Sequence, residues 1–256
     1  MEFNSVNIKS SAFSWMTTLT FSFPDNKLVS FPGLSTSSYK SDYKVGLPLN
    51  IATGFKILGV DPQTGVYQFA SKDGSITNLP TYPDDLYVGI ANLDPKFYGG
   101  FQNKINFKAF SFEFFFEFRK QKGFSYFLMN DANPGTPYNQ PKILLQRWQK
   151  PGDKTEIEQF SQSYSNPAYL AYLYANVYGA SNAITDASFI RLKNIAFSYE
   201  LPKKLAKKAG LASVTFDLRA QNLFLITKYQ GTDPETQAYG YLPPLKTIVG
   251  GIRITF

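Results

Sequence analysis

The chain has 256 residues, enough for one large domain or two small ones, and carries 26 Lys and Arg against 19 Asp and Glu, a net charge of +7. It contains neither Cys nor His, which excludes disulfides, thiolate metal sites, thiol nucleophiles, Ser–His triads and the commonest general base. Aromatic residues make up 17% of it, with 24 Phe and 17 Tyr, a share high for a water-soluble globule and usual for a membrane β-barrel with aromatic girdles. No stretch approaches the roughly 18 apolar residues of a helical span. The mean hydropathy of −0.22 suits strands that are apolar on one face only. A basic balance permits a nucleic-acid partner, but apart from Lys203, Lys204, Lys207 and Lys208 the cations are spread through strands and turns, as on solvated surface.

Met1 is followed at once by a strand pattern over Glu2–Ile8, with no basic, apolar or small-residue leader segment. A barrel protein must be exported, so the expectation is the C-terminal part of a longer protein whose plug and signal peptide lie outside these residues. In the next strand, Phe13–Phe23, Trp15, Leu19, Phe21 and Phe23 oppose Thr18, Thr20 and Ser22. Ile51–Leu58 reads as a further ascending strand before the long link Gly59–Asp94. Two ascending strands cannot follow each other in an antiparallel barrel, so a descending strand is expected between them, and Ser38–Val45 is the best candidate despite its poor alternation. The clearest hairpin is Gly99–Lys120, turning at Lys108-Ala109. Its second arm sets Phe110, Phe112, Phe114, Phe116 and Phe118 against Ser111, Glu113, Phe115, Glu117 and Arg119. Such a row of Phe is an aggregation hazard in water and a normal exterior against lipid.

After the long link Gln121–Asp186, the strand Ala187–Tyr199 changes phase: Ile190 and Leu192 share one parity, and Ile195, Phe197 and Tyr199 the other. One extra residue near Lys193-Asn194, a β-bulge, reconciles them. Pro202 to Gly210 predicts a helical turn or two. Ser213–Leu225 ascends, Thr227–Pro244 is a long loop, and Leu245–Phe256 descends with Ile248, Gly250, Ile252, Ile254 and Phe256 on one face. The fold class is therefore all-β, an antiparallel transmembrane β-barrel segment of about nine strands belonging to a larger barrel. Barrels have short periplasmic turns and long extracellular loops, which sets the direction of each strand. Glu113, Glu117, Arg119, Arg191, Asp217, Arg219 and Arg253 are expected to face the lumen. Glu113 and Glu117 share a strand face but show no arrangement for glycoside hydrolysis, and no catalytic residue is assigned.

Eight segments carry a family resemblance. Asp186–Asn194 with Phe197–Pro202, Gln221–Phe224, Thr227–Glu235 and Leu242–Leu245 closely resemble the C-terminal region of SusC/RagA-type TonB-dependent outer-membrane transporters. Gly59–Gly65, Asp94–Phe101 and Arg147–Asp153 look like further signatures of the same family. The resemblance implies part of a plugged barrel of about 22 strands that imports oligosaccharides or peptides. It also implies a SusD-like lipoprotein lid, TonB acting through an N-terminal region outside this sequence, contact with outer-membrane lipid, and no cofactor. A passive pore, a two-chain barrel and a glycan-binding surface β-domain are the alternatives. Lys72-Asp73-Gly74-Ser75 sits where many relatives carry a calcium-loop-like stretch, but with Asp84 and Asp85 as the other carboxylates it lacks the oxygens calcium needs, so no metal site is expected. In the loop Gln121–Asp186, Trp148, Phe160, Tyr164, Tyr169, Tyr172, Tyr174 and Tyr178 can stack on sugars or pack on one another. Trp148, Tyr164 and Tyr172 are the candidates for ligand contact. Arg147–Asp153 and Asp61–Gly65 read as structured turns.

Overall fold

The structure, a computed structural model, describes the chain apart from residues 126–132, 178, 230 and 238–240 and the side chain of residue 177. Seven long strands form one antiparallel sheet in the spatial order Glu2–Lys9, Phe13–Ser22, Phe97–Phe107, Phe110–Lys120, Phe189–Glu200, Ser213–Gln221 and Thr247–Thr255. The short strand Leu225–Thr227 continues the sixth against the upper part of the fifth. The period-two pattern has its physical outcome here. Phe112, Phe114, Phe116 and Phe118 stand opposite Ile195, Leu192 and Ile190 or their neighbours in register, so apolar side chains gather on one face of the sheet and charged ones on the other.

The expected bulge is found where the phase changes. Pairing with Phe110–Lys120 slips between Leu192 and Asn194, leaving Lys193 as the extra residue. The neighbouring strand breaks at the same level, where Asn222 takes a left-handed φ of 53° and donates its backbone N–H to the Lys193 carbonyl at 3.1 Å. The Gln221–Phe224 motif is thus the partner side of the bulge. The tight turn also falls where expected, with Lys108 at φ 53°. The connection after Pro202 forms the short helix Lys203–Lys208, ended by Gly210 at φ 73°.

Two of the nine expected strands are absent from this sheet. Ser38–Val45 is not a strand. Its start is a 3-10 turn, Ser38–Ser41, in which the Ser37 hydroxyl accepts from the Tyr39 N–H, and Tyr39 and Tyr43 pack together one helical turn apart, 6.0 Å between rings. Ile51–Leu58 is broken at Phe55, whose N–H is taken by the Gly179 carbonyl at 3.0 Å. Its halves, Ile51–Gly54 and Lys56–Val60, pair with Tyr87–Asn92 and Tyr67–Ala70 in separate small sheets. The directional conflict in the sequence therefore disappears: Phe13–Ser22 pairs directly with Phe97–Phe107, and residues 23–96 form one long connection at one end of the sheet.

The hydrophobic core lies in the loops rather than in the sheet. Phe55, Val66, Tyr67, Phe69 and Leu86 from residues 51–92 pack on Ala168, Ala171, Tyr172 and Ala175 of the helix Pro167–Val177. Wall strands keep exposed apolar residues, such as Ile252 at 63% and Leu218 at 53%, as surfaces facing lipid do. A polar seam interrupts that face: the Trp15 indole N–H and the Thr17 hydroxyl both donate to Asn103 Oδ1 at 2.7 Å, and Asn7 donates to Thr17 Oγ1 at 2.7 Å. Internal partners of this kind are what lipid-exposed polar groups require.

Candidate functional site

The inner wall is built by register. Arg119 stands opposite Tyr98 and Phe189, Glu117 opposite Arg191, Glu113 and Arg219 both opposite Ala196, Asp217 opposite Ser198, and Arg253 opposite Thr215. All seven expected lumen residues therefore share one face. Gln102 donates to Glu113 at 2.6 Å and Ser198 to Asp217 at 2.6 Å.

Near the end that carries the long loops, the wall charges combine into a network that straps a loop to the sheet. Arg191, only 3% exposed, pairs with Asp233, 1% exposed. Glu235 lies 3.5 Å from Arg191 Nε, an ion pair too long for a hydrogen bond, and accepts from Lys193 at 2.9 Å. Lys193 also reaches Glu117 at 3.1 Å, and Glu117 reaches Arg119 at 3.2 Å. The Arg119 and Arg191 guanidinium groups both lie over the Phe189 ring, at 5.7 and 5.6 Å.

The loop end of this network is shaped by its own sequence. Asp233 Oδ1 accepts from the N–H groups of Glu235 at 2.9 Å and Thr236 at 3.2 Å, an Asx turn across the Asp-Pro-Glu segment. Gln121 donates to the Pro234 carbonyl at 2.7 Å and the Tyr229 hydroxyl to the Phe124 carbonyl at 2.8 Å. Burial, with the nearby Asp233 carboxylate, raises the Tyr229 phenol above its ordinary pKa. The bulge has a purpose here: it brings Lys193 to the charged face one position after Leu192, beside both Glu117 and Glu235. Sequence reading places Arg191 on the wall and Asp233-Pro234-Glu235 in a motif without joining them. The signal available was the Asp-Pro turn with a second carboxylate beside two wall cations.

The three candidate ligand residues have different surroundings. Trp148 is half-buried. Its ring lies against Gly65, where an added Cβ would come within 2.4 Å of it, and its N–H donates to the Pro62 carbonyl at 3.0 Å, joining the two turns Asp61–Gly65 and Arg147–Asp153. Tyr164 is 69% exposed and packs at a tilt on Tyr169, 4.3 Å between ring centroids and 49° between planes. Tyr172 is 2% exposed and lines a cavity of about 580 Å³ with Tyr67, Gln146, Lys154 and Glu156. Tyr174 packs on Phe55 at 5.8 Å and Phe160 under Arg147 at 3.9 Å, whereas Tyr178 lies outside the described residues. Asp85 caps the Lys72 and Thr81 amides at 2.9 and 2.8 Å, and Asp73 caps Ser75 at 2.8 Å, so both carboxylates serve turns.

Glu158 was not anticipated. It is 1% exposed; one carboxylate oxygen accepts from the Tyr67 N–H at 3.1 Å, and the other has no hydrogen-bond partner among the described residues. Burial raises its pKa well above the ordinary value.

An antiparallel wall with one apolar face, one charged face and folded loops at one end is a segment of an outer-membrane β-barrel. No family model matches the chain. It is 26% identical over 297 residues to TonB-dependent receptor P3 of Formosa agariphila and 23% identical over 289 residues to TonB-dependent receptor P26 of the same organism, in each case over 99% of this chain and 28% of the relative. Among solved structures, the RagAB peptide importer in its open-open state shares the fold over all of this chain and 28% of that one, with a TM-score of 0.78 and 22% identity. The chain thus spans about a quarter of the length of the relatives it matches. The similarity to TonB-dependent receptors expected from the motifs extends over essentially the whole chain, and the outer membrane is its location. Receptors and importers, not enzymes, are what it resembles.

Proposed function

We propose that residues 1–256 form the C-terminal portion of the barrel of a TonB-dependent importer for oligosaccharide or peptide nutrients. In this reading a SusD-like lipoprotein covers the long-loop end, and TonB acts on a plug region outside this sequence. The observation that carries it is the two-faced wall: one face is apolar apart from the seam at Asn7, Thr17 and Asn103, and the other holds Glu117, Arg119, Arg191 and Lys193 in a network with Asp233 and Glu235. A soluble sandwich has no use for a charged inner face. A wall around a hydrated plug needs one. Both outer strands of the sheet, Glu2–Lys9 and Thr247–Thr255, have one paired neighbour among the described residues, and a barrel leaves no edge, so further strands complete it.

Ligand contact is assigned to the loops. Tyr164 offers an exposed ring, Tyr172 a wall of the 580 Å³ cavity, and Trp148 the join between the two turns. The size and mixed lining of that cavity suit a segment of sugar or peptide. The test is uptake of labelled oligosaccharides and peptides by cells carrying the gene in single copy. Loss of uptake on deleting either this gene or the one for TonB supports the reading, and uptake that persists without TonB makes the chain a passive pore. Tyr164→Ala is expected to raise the half-saturating concentration of the imported ligand with the amount of folded protein unchanged.

A further inference from the structure

We propose that the outward face of the wall, at the long-loop end, holds a site for a phosphorylated, multiply acylated lipid of the outer leaflet, with an acyl chain in an aromatic groove and the phosphate on Lys228 and Lys120. The groove has a volume of about 700 Å³, within the about 300–1,000 Å³ usual for ligand sites. Register builds its floor. Phe118 stands opposite Ile190, and Ile190 opposite Ile226, so three apolar side chains from three strands form one row on the outward face. Phe21 and Phe97 close one side, packed on Phe118 at 4.9 and 6.4 Å. Gly99, opposite both Phe21 and Phe118, has no side chain to fill the space between them.

The rim follows from the same alternation. Two residues beyond Phe118 comes Lys120, and two beyond Ile226 comes Lys228, each on the same side as the apolar row and one level nearer the loops. Both line the groove. Lys120 is half-exposed and pairs with Asp186 at 2.8 Å. Lys228 is exposed, and no carboxylate lies within ion-pairing distance of it among the described residues. Arg119 also borders the groove but is held inward by Glu117. The outward rim therefore has two cations, Lys120 and Lys228, against one carboxylate, Asp186, above an apolar floor, at the depth where the long loops begin. That end is extracellular in outer-membrane barrels, so the cations stand at the headgroup level of the outer leaflet, and clustered Lys beside an apolar surface is the chemistry that retains an anionic lipid. A zwitterionic phospholipid fills the groove equally well but gains less from Lys228, because its single phosphate is offset by its own ammonium group.

The inference rests on the barrel orientation and not on import, so its test reads lipid retention alone. The protein containing this chain is purified from outer membranes in a mild non-ionic detergent and delipidated. It is then titrated with bisphosphorylated hexa-acyl lipid A, the same lipid dephosphorylated, and a zwitterionic phospholipid, with bound lipid counted by native mass spectrometry. The bisphosphorylated lipid is expected to be retained above the other two. Lys228→Ala is expected to weaken its retention about fivefold, Lys228→Arg to preserve it, and Ile226→Ser to weaken retention of all three. Equal retention of phosphorylated and dephosphorylated lipid overturns the proposal, as does a Lys228→Ala protein that binds like the parent. The heat-dependent gel mobility of each variant confirms that its barrel is folded.

Discussion

Arg191 sets the energetics of the upper wall. A guanidinium 3% exposed is tolerable only while its charge is matched, because breaking a buried pair from one side costs about 3–5 kcal/mol. Asp233→Asn keeps the shape of the turn but leaves Arg191 with Glu235 alone, at 3.5 Å. We expect this substitution to release the loop, seen as faster tryptic cleavage after Lys228. Replacing Arg191 and Asp233 together by Leu should recover most of the protection. Glu158 makes a prediction of opposite character. Its folded pKa is raised, so the folded loops hold the proton more tightly than the unfolded chain does. The loop body is then most stable below the ordinary Glu pKa of about 4.5 and weakens as pH rises through the folded value. Protection factors for the amides of residues 61–70, which remove the intrinsic base catalysis of exchange, should fall as pH rises above the ordinary Glu range, and Glu158→Gln, which can still accept from the Tyr67 N–H, should flatten that fall. Neither the burial of Glu158 nor the partner of Arg191 was legible beforehand. A Glu among polar loop residues looks like surface, and an Arg in an alternating strand reveals its face but not its partner.

The strands were read well wherever lipid imposes period two, and poorly where it does not. The five alternating Phe from Phe110 to Phe118, the phase change at Lys193 and the terminal Ile248–Phe256 face all follow from one physical demand, that each side chain lie in lipid or in water. Ser38–Val45 and Ile51–Leu58 lie in the loops, where no such demand exists. There Ser37 capping and the Gly179 carbonyl decide the backbone instead. The bulge gives the sharpest test. Deleting Lys193 removes the bulge but leaves Leu192 followed by Asn194 in unbroken alternation, so Arg191 stays inward and Ile195, Phe197 and Tyr199 stay outward, and only the ion pairs of Lys193 with Glu117 and Glu235 are lost. This variant should still run as heat-modifiable folded protein on unheated gels, with faster tryptic cleavage after Lys228. Deleting Ala196 instead, in the regular ladder beyond the bulge, turns Phe197 and Tyr199 towards the lumen and should cost most of that folded protein.

At the scale of the molecule, the wall and the loops divide the two tryptophans of the chain. Trp15 lies on the apolar face beside Ile105, and Trp148 lies in the loop body against Gly65. In liposomes containing brominated acyl chains, a variant retaining only Trp15 should be quenched, and one retaining only Trp148 should not. Quenching of Trp148 alone would reverse the assignment of inside and outside. The sequence supported this division because composition and alternation bear directly on solvent. It could not show that the densest packing lies among residues 51–92 and 167–180, since those contacts join segments far apart in the chain.

The long connections also bear on how such a protein can change. Ser22 stands opposite Tyr98, and Arg119 opposite Phe189, so each large excursion leaves the wall and returns to it at a single rung. Chain can be lengthened, shortened or exchanged between those rungs without moving any pair below them, and the cost of a longer excursion grows only logarithmically with its length. The wall is then a fixed frame with interchangeable inserts, and under the proposed import function a lineage can adopt a new nutrient by rewriting residues 23–96 and 121–188 while leaving the frame untouched.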